Sequence, residues 1–127
     1  MSTISNPIRV SEFRLKLYPK NFLAMKSFYE QYFEVIEIWN KKGKEGVMFK
    51  VADTAILELL AGHPSPMSGA DLSLEVADVH KLWERFKDYD KVVFKLRENN
   101  WGDVSFCIAD PEGFKITFFT KIQEPRQ

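Results

Sequence analysis

Val104-Ser105-Phe106-Cys107-Ile108-Ala109-Asp110-Pro111-Glu112-Gly113-Phe114-Lys115-Ile116-Thr117-Phe118-Phe119 reads as strand, tight turn, strand. Val104, Phe106 and Ile108 alternate with Ser105, Cys107 and Ala109, the period of a strand with one apolar face. Asp110-Pro111-Glu112-Gly113 suits a type I turn. Asp at the first position bonds back to the backbone, Pro presets φ at the second, and Gly takes the fourth. The chain leaves the turn as a second strand, Phe114–Thr120. Fifty-seven residues earlier stands Val47-Met48-Phe49-Lys50-Val51-Ala52-Asp53, with the same Val-x-Phe-x-Val/Ile-Ala-Asp pattern. Leu15-x-Leu17 and Leu72-x-Leu74 repeat at the same offset. The chain is one unit written twice.

Outward from that hairpin, each half takes the same order. In the first, Ile8–Leu17 alternates as a strand. Asn21 caps a helix over Phe22–Tyr32, whose Phe22, Met25, Phe28 and Tyr29 recur at helical spacing. Glu34–Asn40, Gly46–Ala52 and Ala55–Leu60 follow as strands. Gly62–Gly69, dense in Gly, Pro and Ser, is the linker. In the second half Asp71–Val76 is a strand, and Asp78 caps a helix with Val79, Leu82, Trp83 and Phe86 on its stripe. Lys91–Leu96 is a strand and Arg97–Gly102 a loop before the opening hairpin. Met1–Pro7 and Ile122–Gln127 are expected to be tails. The fold class is α+β: two tandem βαβββ modules, 8–62 and 70–121, joined by linker 62–69 into a single 127-residue domain. One helix covers one face of each sheet, so the other face must meet a second sheet or enclose a cavity.

Composition excludes several classes. Eighteen basic residues balance eighteen acidic ones, so no nucleic acid or anionic membrane is implied as partner. The basic cluster Lys41, Lys42, Lys44 reads as a solvated hairpin tip. No apolar run approaches the ~18 residues of a spanning helix. The amino-terminal segment has no charged and apolar regions of a signal peptide. Cys107 is the single cysteine, so no disulfide forms within the chain, and a cytoplasmic protein is expected.

With these residues in hand, the chain resembles the vicinal oxygen chelate superfamily, the glyoxalase/bleomycin resistance/extradiol dioxygenase group. The resemblance rests on Phe28-Tyr29 ending the first helix, Leu57-Glu58-Leu59 on the fourth strand, Trp101-Gly102 before the last hairpin, and the Asp110–Gly113 turn. It implies a cupped mixed sheet with a central site and commonly a homodimer. Metal-using relatives place ligands on the first and last strand of each module. Carried over, those positions are Arg14 and Asp71, then Glu58 and Thr117. Only Glu58 and Asp71 suit a hard divalent ion; Arg14 repels one and Thr117 is a poor ligand. His63 falls in the linker and His80 at a helix start, away from those strands.

Alternation assigns the two faces. Leu15, Leu17, Leu57, Leu59, Leu72, Leu74, Phe106, Ile108, Ile116 and Phe118 face the helices. Arg14, Lys16, Ile56, Glu58, Asp71, Ser73, Glu75, Cys107, Lys115, Thr117 and Phe119 face away. The expectation is a metal-free protein binding a small organic molecule, an antibiotic or metabolite, with no cofactor. Arg14 takes the metal's place between Glu58 and Asp71, or orients a polar ligand with Glu58. Trp101 is a stacking or lid residue, Trp39 a core or dimer contact, and Trp83 packing. Cys107 faces the ligand side with no His to activate it. Glu112 is solvated in its turn. The alternative is a divalent-metal-dependent lyase/isomerase or dioxygenase resting on Glu58 and Asp71.

Overall fold

Residues 12–41, 43–62, 64–65 and 69–122 are described by the computed structural model. They fall in two compact units, Met1–Pro66 and Met67–Gln127. In the first unit β1 (Phe13–Leu17) leads into α1 (Phe22–Glu30), then β2 (Glu34–Lys41), β3 (Lys44–Ala52) and β4 (Ala55–Leu60). The second runs β5 (Leu72–Glu75), α2 (Val79–Phe86), β6 (Val92–Asn99), β7 (Asp103–Ala109) and β8 (Lys115–Lys121). Each unit is a four-stranded mixed sheet, ordered β1-β4-β3-β2 and β5-β8-β7-β6. The first strand of each pairs parallel with the last, and the remaining pairs are antiparallel. The helix carries the chain from the first strand of each unit across the sheet to the strand at the opposite edge.

Both helices begin as their caps dictate. Asn21 accepts from the Ala24 amide at 3.0 Å and Asp78 from the Lys81 amide at 3.2 Å. In α2 a second clip is added: Thr120 Oγ1 accepts from Val79 N at 2.9 Å and donates to Val76 O at 2.7 Å. The helix expected to reach Tyr32 stops at Glu30. Gln31 N, Tyr32 N and Phe33 N bond back to Phe28 O and Tyr29 O, which closes the last turn early.

Aromatic stripes pack each helix on its sheet. Tyr29 lies 6.0 Å from Phe49 in the first unit. In the second, Trp83 and Phe86 stand 5.1 and 5.7 Å from Phe106, and Phe86 is 5.6 Å from Phe118. Val47, Phe49, Leu57, Leu59, Phe106, Ile108 and Ile116 are at most 1% exposed. Burying each such side chain contributes about 1.5–3 kcal/mol. Trp83 is therefore packing, as its helical position predicts.

The Asp110–Gly113 turn forms as read. Gly113 N donates to Asp110 O at 2.9 Å with Gly113 at φ +90°, and Asp110 N donates to Phe114 O at 2.9 Å. The Asp110 carboxylate is fully buried and accepts from Glu112 N at 2.9 Å and Phe114 N at 3.0 Å. Glu112 itself is exposed.

Several strand boundaries also differ. β1 starts at Phe13; residues 8–11 of the expected strand lie outside the described residues, as do Met1–Pro7, Lys42, His63 and the last five residues. β3 starts two residues early, at Lys44. Asp71 precedes β5 rather than opening it. The expected loop Arg97–Gly102 is a correction: β6 continues through Asn99, and a short turn over residues 100–102 leads to β7. Two register shifts in β6, between Val92 and Phe94 and between Phe94 and Arg97, broke the alternation that would have extended the strand.

The offset of the duplication also changes along the chain. The caps Asn21 and Asp78 are 57 residues apart, as are Lys16 and Ser73. Lys16 pairs with Glu58 and Ser73 with Thr117, and those partners are 59 apart. Met48 and Cys107, next in the two rows, are also 59 apart. The Val-x-Phe echo marks the same element twice, but not the same row.

Candidate functional site

Glu58 is the residue that the local pattern does not explain. It sits between Leu57 and Leu59, both fully buried against the helix side, so alternation turns it to the opposite face. Its side chain is nevertheless only 7% exposed. Its register partners are Lys16 on β1 and Met48 on β3. Among the described residues Glu58 Oε1, which is buried, has no hydrogen-bond partner. Arg14, from the row below, brings Nη1 to 3.7 Å, an ion pair outside hydrogen-bond reach.

Arg14 is committed elsewhere. Its Nε donates to Glu12 Oε1 at 2.5 Å, and its side chain is 42% exposed. The hydrogen bond and charge of Glu12, and more weakly the charge of Glu58, raise the guanidinium above its ordinary pKa. Arg14 is thus a fixed cation at the mouth of a buried acceptor. The arrangement leaves Glu58 half-answered: its charge is offset at a distance, and its Oε1 lacks a donor.

The other expected residues fall in separate places. Thr117 and Cys107 are register partners on the α2-distal face of the second sheet, with Ser73 beyond Thr117. Cys107 is 3% exposed, and its Sγ contacts Ile108 O at 3.7 Å. Asp71 is exposed; with Gly69, Ala70, Gly113 and Lys115 it lines a surface cleft of about 310 Å³. Trp39 is half-buried, its ring lying over Gly46, its register partner; a Cβ at Gly46 would clash with Trp39 Cζ2. Trp101 is 68% exposed in the β6–β7 turn.

Sequence reasoning missed several members. Glu12 lay within the expected strand Ile8–Leu17 and was not set apart from it, and Lys16 was one row away from the position inferred from relatives. Asn99, Asp103 and Ser105 were hidden by ending β6 early. Asn99 is 6% exposed, and its Nδ2 donates to Asp103 Oδ1 at 2.7 Å and Ser105 Oγ at 2.8 Å. Extending the strand to the Trp101-Gly102 turn would have placed Asn99 opposite Asp103.

A divalent ion, which relatives of this kind use, does not fit these residues. Glu58 has the Arg14 cation at 3.7 Å and Lys16 as its register partner on β1. Thr117 stands between Ser73 and Cys107. Among the described residues no three or more His, Cys, Asp or Glu come together. His80 is exposed on α2, 3.9 Å from Asp78. One buried carboxylate flanked by fixed positive charge is the reverse of a cation site.

Comparison with known proteins gives a consistent placement. Residues 13–118 match the family model described as Glyoxalase/Bleomycin resistance protein/Dioxygenase superfamily. No curated protein matches. Among solved structures, TioX from Micromonospora sp. ML1 aligns with a TM-score of 0.65 at 16% identity, covering 88% of this chain and 99% of that one. A glyoxalase/bleomycin resistance protein/dioxygenase from Nocardioides gives 0.66 at 16%, covering 98% and 91%. A lactoylglutathione lyase from Agrobacterium tumefaciens gives 0.64 at 19%, covering 91% and 95%. At these identities the likeness is one of fold.

Proposed function

The chain belongs to the glyoxalase/bleomycin resistance protein/dioxygenase superfamily, and we propose that within it the protein is a metal-free binder of a small organic molecule. The observation that carries this reading is the buried, unpartnered Glu58 oxygen. A buried acceptor without a donor costs about 1–3 kcal/mol, and more when charged. A ligand amine, amidine or hydroxyl that donates to it would recover that cost on binding. Arg14, fixed by Glu12 and facing the same carboxylate, would set the ligand's orientation. Trp39, on β2 of the same sheet, is carried as an apolar contact of the same ligand.

The same reading takes the protein as a cytoplasmic homodimer. Support for a dimer comes from β2, where Val35, Ile36 and Ile38 are 36–56% exposed on a strand paired on one side. Among the described residues no helix is long and apolar enough to cross a membrane.

The test is a panel of amine-bearing and neutral organic molecules, screened by thermal shift and native mass spectrometry with and without chelator. A ligand at 100 times its dissociation constant adds about 2.7 kcal/mol. The reading expects at least one amine to stabilise the chelated protein, with Glu58→Gln abolishing the shift. Stoichiometric metal that chelation removes together with binding would sink it.

A further inference from the structure

The α2-distal face of the second sheet carries residues that the reading above does not use. Phe119 on β8, Ser105 on β7 and Arg97 on β6 are register partners in one row across three strands. Thr117, Cys107 and Phe94 make the adjoining row. Arg97 lies over the Phe94 ring, its Cζ 3.8 Å from the ring centroid. That stacking holds the guanidinium by its face and leaves the in-plane N–H donors available. Among the described residues Arg97 takes part in no ion pair.

A second, independent feature stands beside it. Ser105 is 4% exposed, and its Oγ accepts from Asn99 Nδ2 at 2.8 Å. Among the described residues its O–H has no acceptor, so one buried donor is unspent. Asn99 cannot rotate away, because Asp103 Oδ1 holds the same amide at 2.7 Å. The neighbouring acids are occupied: Asp103 by Asn99, and Glu75 by Lys121 Nζ at 4.0 Å.

We infer that Arg97 and Ser105 form a subsite for the carboxylate of a small organic acid, with Phe119 packing against its flat apolar body. Arg97 gives two parallel N–H donors, the geometry a carboxylate takes up, and Ser105 gives a third. Two acidic neighbours on the same face select a monoanion over a doubly charged phosphate. The subsite lies in a different unit from Glu58 and does not rest on it.

Benzoate is the probe, benzamide its neutral isostere and phenyl phosphate its dianionic one, titrated into the full chain and followed by ¹H–¹⁵N NMR. Benzoate saturably shifts the Arg97 Nε–Hε signal and the Asn99 and Ser105 amides. Benzamide and phenyl phosphate bind about tenfold more weakly, the worth of one charge-assisted contact. Arg97→Gln, at an exposed position that leaves folding intact, weakens benzoate by the same factor. Equal shifts with benzoate and benzamide, or benzoate binding that survives Arg97→Gln, overturns the subsite.

Discussion

Replacing Glu58 by methionine should make the ligand-free protein more stable, although Glu58 is buried and has a cation nearby. Removing one member of a buried ion pair ordinarily destabilises, because the partner charge is stranded. Here the geometry reverses the sign. The cation is 3.7 Å away, 42% exposed and already bonded to Glu12, so it is not stranded when Glu58 leaves. What disappears is a carboxylate whose side chain is 7% exposed and whose Oε1 has no donor among the described residues. Methionine has comparable length and adapts to gaps beside Met48 and Ile56, its neighbours on that face. Relief of the unmet acceptor amounts to about 1–2 kcal/mol, the lower part of the cost of an orphaned buried polar group. For a chain of this size that is roughly 3–8 °C in Tm. Differential scanning calorimetry at neutral pH, with urea titration as a check, reads the change directly. The gain must come with loss of amine binding, since a group that is costly in the free protein is retained for what it binds. A Glu58→Met protein less stable than wild type by more than about 1 kcal/mol would refute the reasoning. Glu58 would then be a structural counter-ion, and its burial would say nothing about a ligand.

The remaining predictions follow from the same contacts. Arg14→Met should lower Tm where Glu58→Met raises it, because it removes the described cation that lies within ion-pair distance of the buried carboxylate. Glu12 raises the Arg14 pKa, so that contribution is present below the ordinary guanidinium range and lost only above it. The Tm gap between wild type and Arg14→Met should therefore stay constant from neutral to mildly alkaline pH, as calorimetry in a buffer series would show. Asp110→Ala removes the acceptor of two turn amides, one buried and one part-buried, and should cost about 3 kcal/mol by urea denaturation, with Asp110→Asn losing about half of that. Gly46→Ala drives the Trp39 ring from its seat, which should cost about 1 kcal/mol and shift tryptophan emission to the red. Chelator treatment followed by dialysis should leave the Tm of the wild-type protein unchanged, measured against the untreated sample.

How much of this was legible in the sequence depends on which physical signal each residue obeys. The hairpin was readable because three independent rules agree on Asp110–Gly113: Asp accepts from two amides, Pro fixes φ, and Gly takes positive φ. The helix faces were readable because Phe22, Met25, Phe28 and Tyr29 keep a period that packing rewards, and all four are buried. Glu58 was readable as a residue of the helix-distal face, since Leu57 and Leu59 flank it, but not as an orphan. Parity gives the side of a sheet; it does not give the distance to a cation one row away. That distance followed from register, and register was set by pairing Lys16, not Arg14, with Glu58. The same limit hid Arg97. A strand with two bulges loses its period-two signature, so Arg97–Asn99 read as loop while forming the edge of the sheet. Bulges re-aim side chains, and the residues re-aimed here, Phe94 and Arg97, are the pair that stacks. The segment least legible by alternation is thus the one whose irregularity positions a charged group, as expected where local rules yield to a site.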